Sequence, residues 1–176
     1  MFFASDNAGP AHPRVMEALN IANTGYRSGY GAEPEMDAVT QQIRDLFDAP
    51  DAAVFLVATG TAANAILLGT LANPWDTIFC TPMAHIQEDE CNAPEFYSGA
   101  KLTLVPATHA KMTPDALRCA MSNETLGGTH GPHRGPVSIT QVTEMGTVHT
   151  LQELRELTAV AREFDCAVQM DGARFA

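Results

Sequence analysis

Positive charge is scarce in this chain: 10 Lys and Arg stand against 21 Asp and Glu, for a formal net charge of −11. A phosphate backbone or an anionic membrane would be repelled by most of such a surface, so neither is an expected partner. Long apolar runs are also missing. None approaches the ~20 residues of a spanning helix, and the opening Met1-Phe2-Phe3 meets acid at Asp6 with neither a basic n-region nor a sustained apolar stretch. Cys80, Cys91, Cys119 and Cys166 are widely spaced with no Cys-x-x-Cys pair. The expectation is therefore a reduced, cytoplasmic protein without a disulfide framework. Neither a Walker nor a dinucleotide glycine fingerprint occurs, and no internal repeat or low-complexity tract interrupts the chain.

What remains is an ordinary globular composition, 45% hydrophobic and 18% charged over 176 residues, enough to bury a sizeable core. Met36, Val39, Ile43, Leu46 and Phe47 share one face of a helix expected over 35–48 and ended by Pro50. Ala53 to Val57 reads as a strand covered on both sides, Thr59-Gly60-Thr61 as a turn, and Ala62 to Leu71 as a helix. Further strands are expected at 77–80, 102–105, 137–142 and 167–170. Thr113 with Pro114 opens a helix over 115–121. Thr150 and Glu153 form a capping box ahead of another that carries Leu151, Leu154, Leu157, Ala161 and Phe164. Strands alternating with helices predict an α/β domain with a mainly parallel sheet.

Four segments could carry chemistry. Thr59 to Asn64 joins a strand to a helix, and its first amides with Gly60 and Thr61 could hold an anion; a plain threonine-capped turn would look the same. His85 followed by Glu88, Asp89 and Glu90 could be a metal cluster, an acid/base pair or a platform beside a cofactor, or simply a solvated acidic helix start. His130 and His133 lie in the glycine-, proline- and histidine-rich loop 123–135, where they could bind a metal or stand free in solvent. Asp171 and Arg174 follow the last strand, where α/β sheets place ligand-binding groups; they could instead pair with each other. A carboxylate at the end of an interior strand is costly unless a cation or donor meets it.

Taken in order, Ser5-Asp6-Asn7, Tyr30-Gly31-Ala32-Glu33, Thr59-Gly60-Thr61-Ala62-Ala63-Asn64, His85 with Asp89-Glu90, Ala93-Pro94-Glu95-Phe96, Lys101-Leu102, Thr143-Glu144-Met145-Gly146-Thr147 and Asp171-Gly172-Ala173-Arg174 resemble the threonine aldolase family of pyridoxal-phosphate enzymes. The resemblance implies an aspartate-aminotransferase-like large domain with pyridoxal 5'-phosphate as cofactor. Residues 1–34 would form an N-terminal arm and active-site loop, and 35–176 part of the large domain. Gly60 and Thr61 would hold the phosphate, His85 would stack on the pyridine ring, and Asp171 would pair with its nitrogen. Arg174 would reach the phenolic oxygen and, with Ser5, the substrate carboxylate. His133, or less favourably His130, would stand near the substrate hydroxyl, so that His85 and His133 are the candidate bases.

The implied reaction is retro-aldol cleavage of a small β-hydroxy-α-amino acid, threonine or allo-threonine, to glycine and an aldehyde, in a homo-oligomer (dimer or tetramer). A related β-eliminating lyase or transaminase keeps the fold and changes the reaction. A metal-dependent hydrolase on His85, Glu88, His130 and His133 changes both, and a non-catalytic remnant that only oligomerises is a further reading. The family's Schiff-base lysine follows the Asp-Gly-Ala-Arg segment, whereas the only lysines here are Lys101 and Lys111. Cys91-Asn92 also replaces a glycine usual after the acidic run. The expectation is a fragment without the small domain, inactive as it stands.

Overall fold

Proline has helical φ built in and no N–H to lose, so it suits the first position of a helix. Pro13 and Pro34 occupy that position in α1 (Pro13–Ala22) and α2 (Pro34–Leu46). The computed structural model describes residues 8–124 and 128–175. It divides into two compact units, Met1–Leu56 and Val57–Ala176. The first contains α1 and α2. Within this unit Arg44 Nε donates to Ala52 O at 2.9 Å, tying the segment after α2 back to its last turn.

Two sequence expectations fail at the join. α2 stops at Leu46, ahead of Pro50, with Asp48 at a positive φ of 49°. Ala53–Val57 forms no strand; Phe55 is 83% exposed, and among the described residues no strand pairs with this run. An apolar run selects a strand only when a neighbour supplies hydrogen bonds and cover.

The second unit is built on α3 (Gly60–Leu71), β1 (Asp76–Cys80), α4 (His85–Glu88), α5 (Ala93–Ser98), β2 (Lys101–Leu104), β3 (Ala107–Thr108), β4 (Lys111–Met112), α6 (Pro114–Asn123), β5 (His133–Thr140), α7 (Leu151–Glu163) and β6 (Val168–Asp171). β3 and β4 make a short antiparallel hairpin. The other four strands form one parallel sheet in the order β2-β1-β5-β6. The strand expected over 137–142 thus begins earlier and ends sooner.

Every residue of β1 is buried, and its alternating side chains divide between two cores. Phe79 joins Leu117 and Met121 of α6 and Leu157 and Val160 of α7 on one face. Ile78 and Cys80 join Leu68 and Ala72 against α3 on the other. Each fully buried aliphatic or aromatic side chain contributes roughly 1.5–3 kcal/mol, and together they fix the sheet between two helical layers. The caps read from sequence are present: Thr113 accepts from Ala116 N, and Thr150 and Glu153 complete a capping box. Where β5 crosses β1, a Cβ at Gly135 would stand 2.7 Å from Thr77 O. Only glycine lets these backbones meet there, at an irregularity in the register.

Candidate active site

In the parallel sheet the chain leaves β1 toward β2 on one side, and leaves β5 toward β6 on the other. Adjacent strands whose connections diverge leave a crevice outside their carboxyl ends, which is where open α/β sheets bind ligands. His85 opens α4 just after β1, and Glu144 lies in the turn just after β5. Glu144 Oε1 accepts from the His85 backbone N–H at 2.8 Å, joining the two connections across the divergence. The Thr143–Thr147 turn that carries Glu144 is closed by Thr143 N donating to Thr147 O at 3.0 Å, with Gly146 at φ +74°. His85 Nδ1 lies 3.4 Å from Asp89 Oδ2, with both side chains substantially exposed. Such a pair orients the ring more than it stabilises the fold.

α3 brings a helix start to the same edge. Thr59 accepts from Ala62 N at 3.1 Å, which satisfies one first-turn amide; Gly60 and Thr61 have no acceptor within the helix. Gly60 has no positive φ, and a Cβ there would meet nothing within 4 Å. The fold does not demand this glycine, whereas a ligand seated on the backbone would.

One turn further along, Asn64 is 4% exposed. Its Nδ2 donates to Glu90 Oε1 at 2.9 Å and to Asp171 Oδ2 at 3.0 Å. Gln169 Nε2 donates to Asn64 Oδ1 at 2.9 Å, and Ser138 Oγ donates to Gln169 Oε1 at 2.6 Å. Asp171 Oδ1 accepts from Ala173 N at 3.0 Å, so its carboxylate is engaged by Asn64 and its own turn. Glu90, for which a solvated acidic helix start was one of the alternatives, is only 3% exposed, and its Oε2 is buried without a hydrogen-bond partner. Two carboxylates on one planar amide nitrogen lie about 5 Å apart. A like-charged pair with an orphaned buried oxygen is stabilised by a cationic or donor group arriving beside it.

Arg174 is exposed and follows Asp171 at the same strand end. Ser5 lies outside the described residues. His130 and His133 do not lie at this edge. His133 is in register with Asp76 at the start of the sheet, while Thr140 at the far end of β5 is in register with Asp171. At ~3.3 Å per residue the strand holds His133 roughly 20 Å from the crevice. His130, exposed in the 3-10 turn Gly128–His130, precedes it at that amino end. Glu88 is exposed as the last residue of α4. His85, Glu88, His130 and His133 are therefore not one site, and among the described residues no group of three or more His, Cys, Asp or Glu could hold a metal.

Neither lysine is poised as a nucleophile. Lys101 starts β2 at the amino end of the sheet. Lys111 Nζ is bound by Glu153 at 2.6 Å and by Val148 O at 3.1 Å. Burial pushes the Cys80 thiol up to about 12, helped by the Glu95 and Glu144 charges, so it stays neutral and inert. A groove of about 710 Å³ runs from Thr59 and Thr61 along α3 to Tyr97. Its lining is largely apolar. Asn64, Gln169 and Ser138 were not singled out from sequence. Their signal was a polar residue flanked by apolar ones, Ala63 and Ala65 around Asn64, Val137 and Ile139 around Ser138, Val168 and Met170 around Gln169.

The Beta-eliminating lyase family model matches residues 3–176. The low specificity L-threonine aldolases of Pseudomonas aeruginosa and of a further Pseudomonas species are each 37% identical to the chain over 175 residues, 98% of it and 49% of theirs. The chain thus spans about half the length of these relatives. A structure of Leishmania major threonine aldolase superposes with a TM-score of 0.90 at 27% identity, over 96% of this chain and 48% of that one.

Proposed function

The chain belongs to the Beta-eliminating lyase family, and from that premise we propose that the intact protein binds pyridoxal 5'-phosphate and cleaves a small β-hydroxy-α-amino acid, threonine or allo-threonine, to glycine and an aldehyde. The observation that carries the reading is Asp171. It is a carboxylate held at a strand end by the buried Asn64 amide, which also engages a second acid with an orphaned oxygen and lies one helical turn from Gly60, a glycine that the fold does not require.

The residues suit the cofactor. The first-turn amides of α3 at Gly60 and Thr61 would take the phosphate without cost from a side chain. Asp171 would accept from the protonated ring nitrogen, an anion meeting a cation where each offsets the other's burial. His85, at the start of α4 just after β1, would lie against the ring. Arg174, with Ser5, would bind the substrate carboxylate and the phenolic oxygen. When bound, the cofactor supplies an electron sink for the pair left on the amino acid's Cα. The protein's part is to take the proton from the β-hydroxyl as the Cα–Cβ bond breaks, and His85, which opens α4 just after β1, would do that work. General-base help of this kind is typically worth about 10²–10⁴. His133 has no part in this proposal because of its place at the amino end of β5.

We include in the proposal a homo-oligomer, dimer or tetramer. Supporting it are the exposed apolar side chains Trp75, Phe96 and Tyr97, and sedimentation as a monomer at micromolar concentration would remove it. The test of the reaction is incubation of the intact protein with pyridoxal phosphate and L-threonine. Glycine and acetaldehyde should form in equal amounts, and Asp171→Asn should lower kcat at least about tenfold at saturating cofactor, the loss of a charge-assisted bond. Production of 2-oxobutyrate and ammonia would replace the retro-aldol reading with β-elimination.

A further inference from the structure

Resting on the cofactor reading above, we propose that Asn64 is a positioning residue that fixes the orientation and basicity of the Asp171 carboxylate, and that Gln169 sets the direction of the Asn64 amide.

The hydrogen-bond polarity leaves one arrangement. Glu90 Oε1 and Asp171 Oδ2 both approach the same Asn64 nitrogen, at 2.9 and 3.0 Å. Carboxylates only accept, so the Asn64 NH₂ must face them and its carbonyl must face the other way. That carbonyl meets Gln169, which must then present its own NH₂, at 2.9 Å, and its carbonyl is left to accept from Ser138 Oγ at 2.6 Å. Flipping either amide would place two carbonyl oxygens, or two sets of donors, face to face. Asn64, Gln169 and Ser138 are each less than 5% exposed, so water does not offer a substitute.

The consequence falls on Asp171. One of its oxygens is tied to Ala173 N. The other receives its donor from Asn64, on the amide that also engages the neighbouring Glu90 charge. Remove that donor and the two carboxylates face each other across about 5 Å with nothing between them. Asp171 becomes the stronger base, and the proton it shares with a ring nitrogen moves from nitrogen toward oxygen. A residue that served the core alone would weaken the fold without moving that proton.

The experiment is ¹⁵N NMR of the intact protein loaded with pyridoxal phosphate labelled at the ring nitrogen, since the shift of that nucleus reports its protonation directly. With the wild type the signal should lie at the protonated position. In Asn64→Ala it should move toward the unprotonated one, by a change in proton distribution of about tenfold or more, as expected for one lost hydrogen bond to a charged group. Gln169→Met, which frees the Asn64 amide to turn, should move it the same way by less. Leu157→Ala, which opens a cavity in the opposite core and touches none of these residues, should leave it in place. An unmoved signal in folded, loaded Asn64→Ala overturns the proposal. If that variant does not fold, an unmoved signal in Gln169→Met overturns it, and a shift there supports it. An equal shift in Leu157→Ala also overturns it, because the signal would then report general loosening. If wild-type protein takes up no pyridoxal phosphate, the cofactor reading itself falls and this proposal with it.

Discussion

Replacing Gly60 by alanine should separate what the fold needs from what a ligand needs. A methyl group at this position meets no atom within 4 Å, and the backbone is not in the left-handed region. Glycine in a helix interior costs roughly 0.5–1 kcal/mol relative to alanine. At the first helical residue the gain from Gly60→Ala should lie between zero and about 1 kcal/mol, so the urea midpoint should stay or rise. The same methyl would occupy the space through which a phosphate approaches the first-turn amides. If it costs one hydrogen bond to a charged group, about 1.5–3 kcal/mol, the dissociation constant for pyridoxal phosphate should rise by roughly 10–150-fold. Equilibrium dialysis of the two proteins, alongside urea unfolding, gives both quantities. Undiminished affinity in a folded variant would refute the assignment of this helix start to the phosphate, and a loss of stability beyond 1 kcal/mol would refute the claim that the glycine is structurally optional.

Leu157 is fully buried against Phe79 and the α6 side chains, and Leu157→Ala should cost about 2–5 kcal/mol by urea unfolding. The hydrogen bond from Lys111, followed by the Thr150 backbone N–H, holds the Glu153 carboxyl down to about 2 from 4.5. Its contribution is fully present above pH 4.5 and is lost as pH falls toward 2. The stability gap between wild type and Glu153→Gln should therefore narrow across that window, and a constant gap would contradict the pairing. With its thiol pushed up to about 12, Cys80 should resist an aromatic disulfide reagent at pH 8, while exposed Cys91 and Cys119 react. Peptide mapping of the labelled protein identifies which cysteines took the reagent.

Much of the second unit was legible because local chemistry and period agreed there. Thr150 with Glu153 named the start of α7, Thr113 with Pro114 that of α6, and short strand candidates matched β1, β2, β5 and β6. Ala53–Val57 misled because hydrophobicity alone does not supply a neighbouring strand. His133 begins β5, so in the parallel sheet it stands at the amino end, away from the ends that hold Asp171 and His85. That conclusion follows from the expected strand over 137–142 and the expected parallel sheet taken together. Glu90 could not be distinguished from its solvated neighbours Glu88 and Asp89, because one buried acid in an acidic run has no local mark. Asn64 and Gln169 show their partnership only when α3 and β6 are brought side by side.

The separation of those partners along the chain sets when the site can exist. Asn64 and Asp171 are 107 residues apart, Asn64 and Gln169 105, and Asn64 and Glu90 26. Pairings this distant form only after the intervening chain has lost most of its freedom, which makes them late events in folding. A growing polypeptide can assemble α3 and the Glu90 contact early, but it carries the uncompensated acid without its amide network until Asp171 has been synthesised and β6 has docked beside β5. Under the proposed cofactor reading, ligand capture is thereby deferred until β6 has docked beside β5, so that a nascent or partly unfolded chain would withhold the site from the small molecules around it.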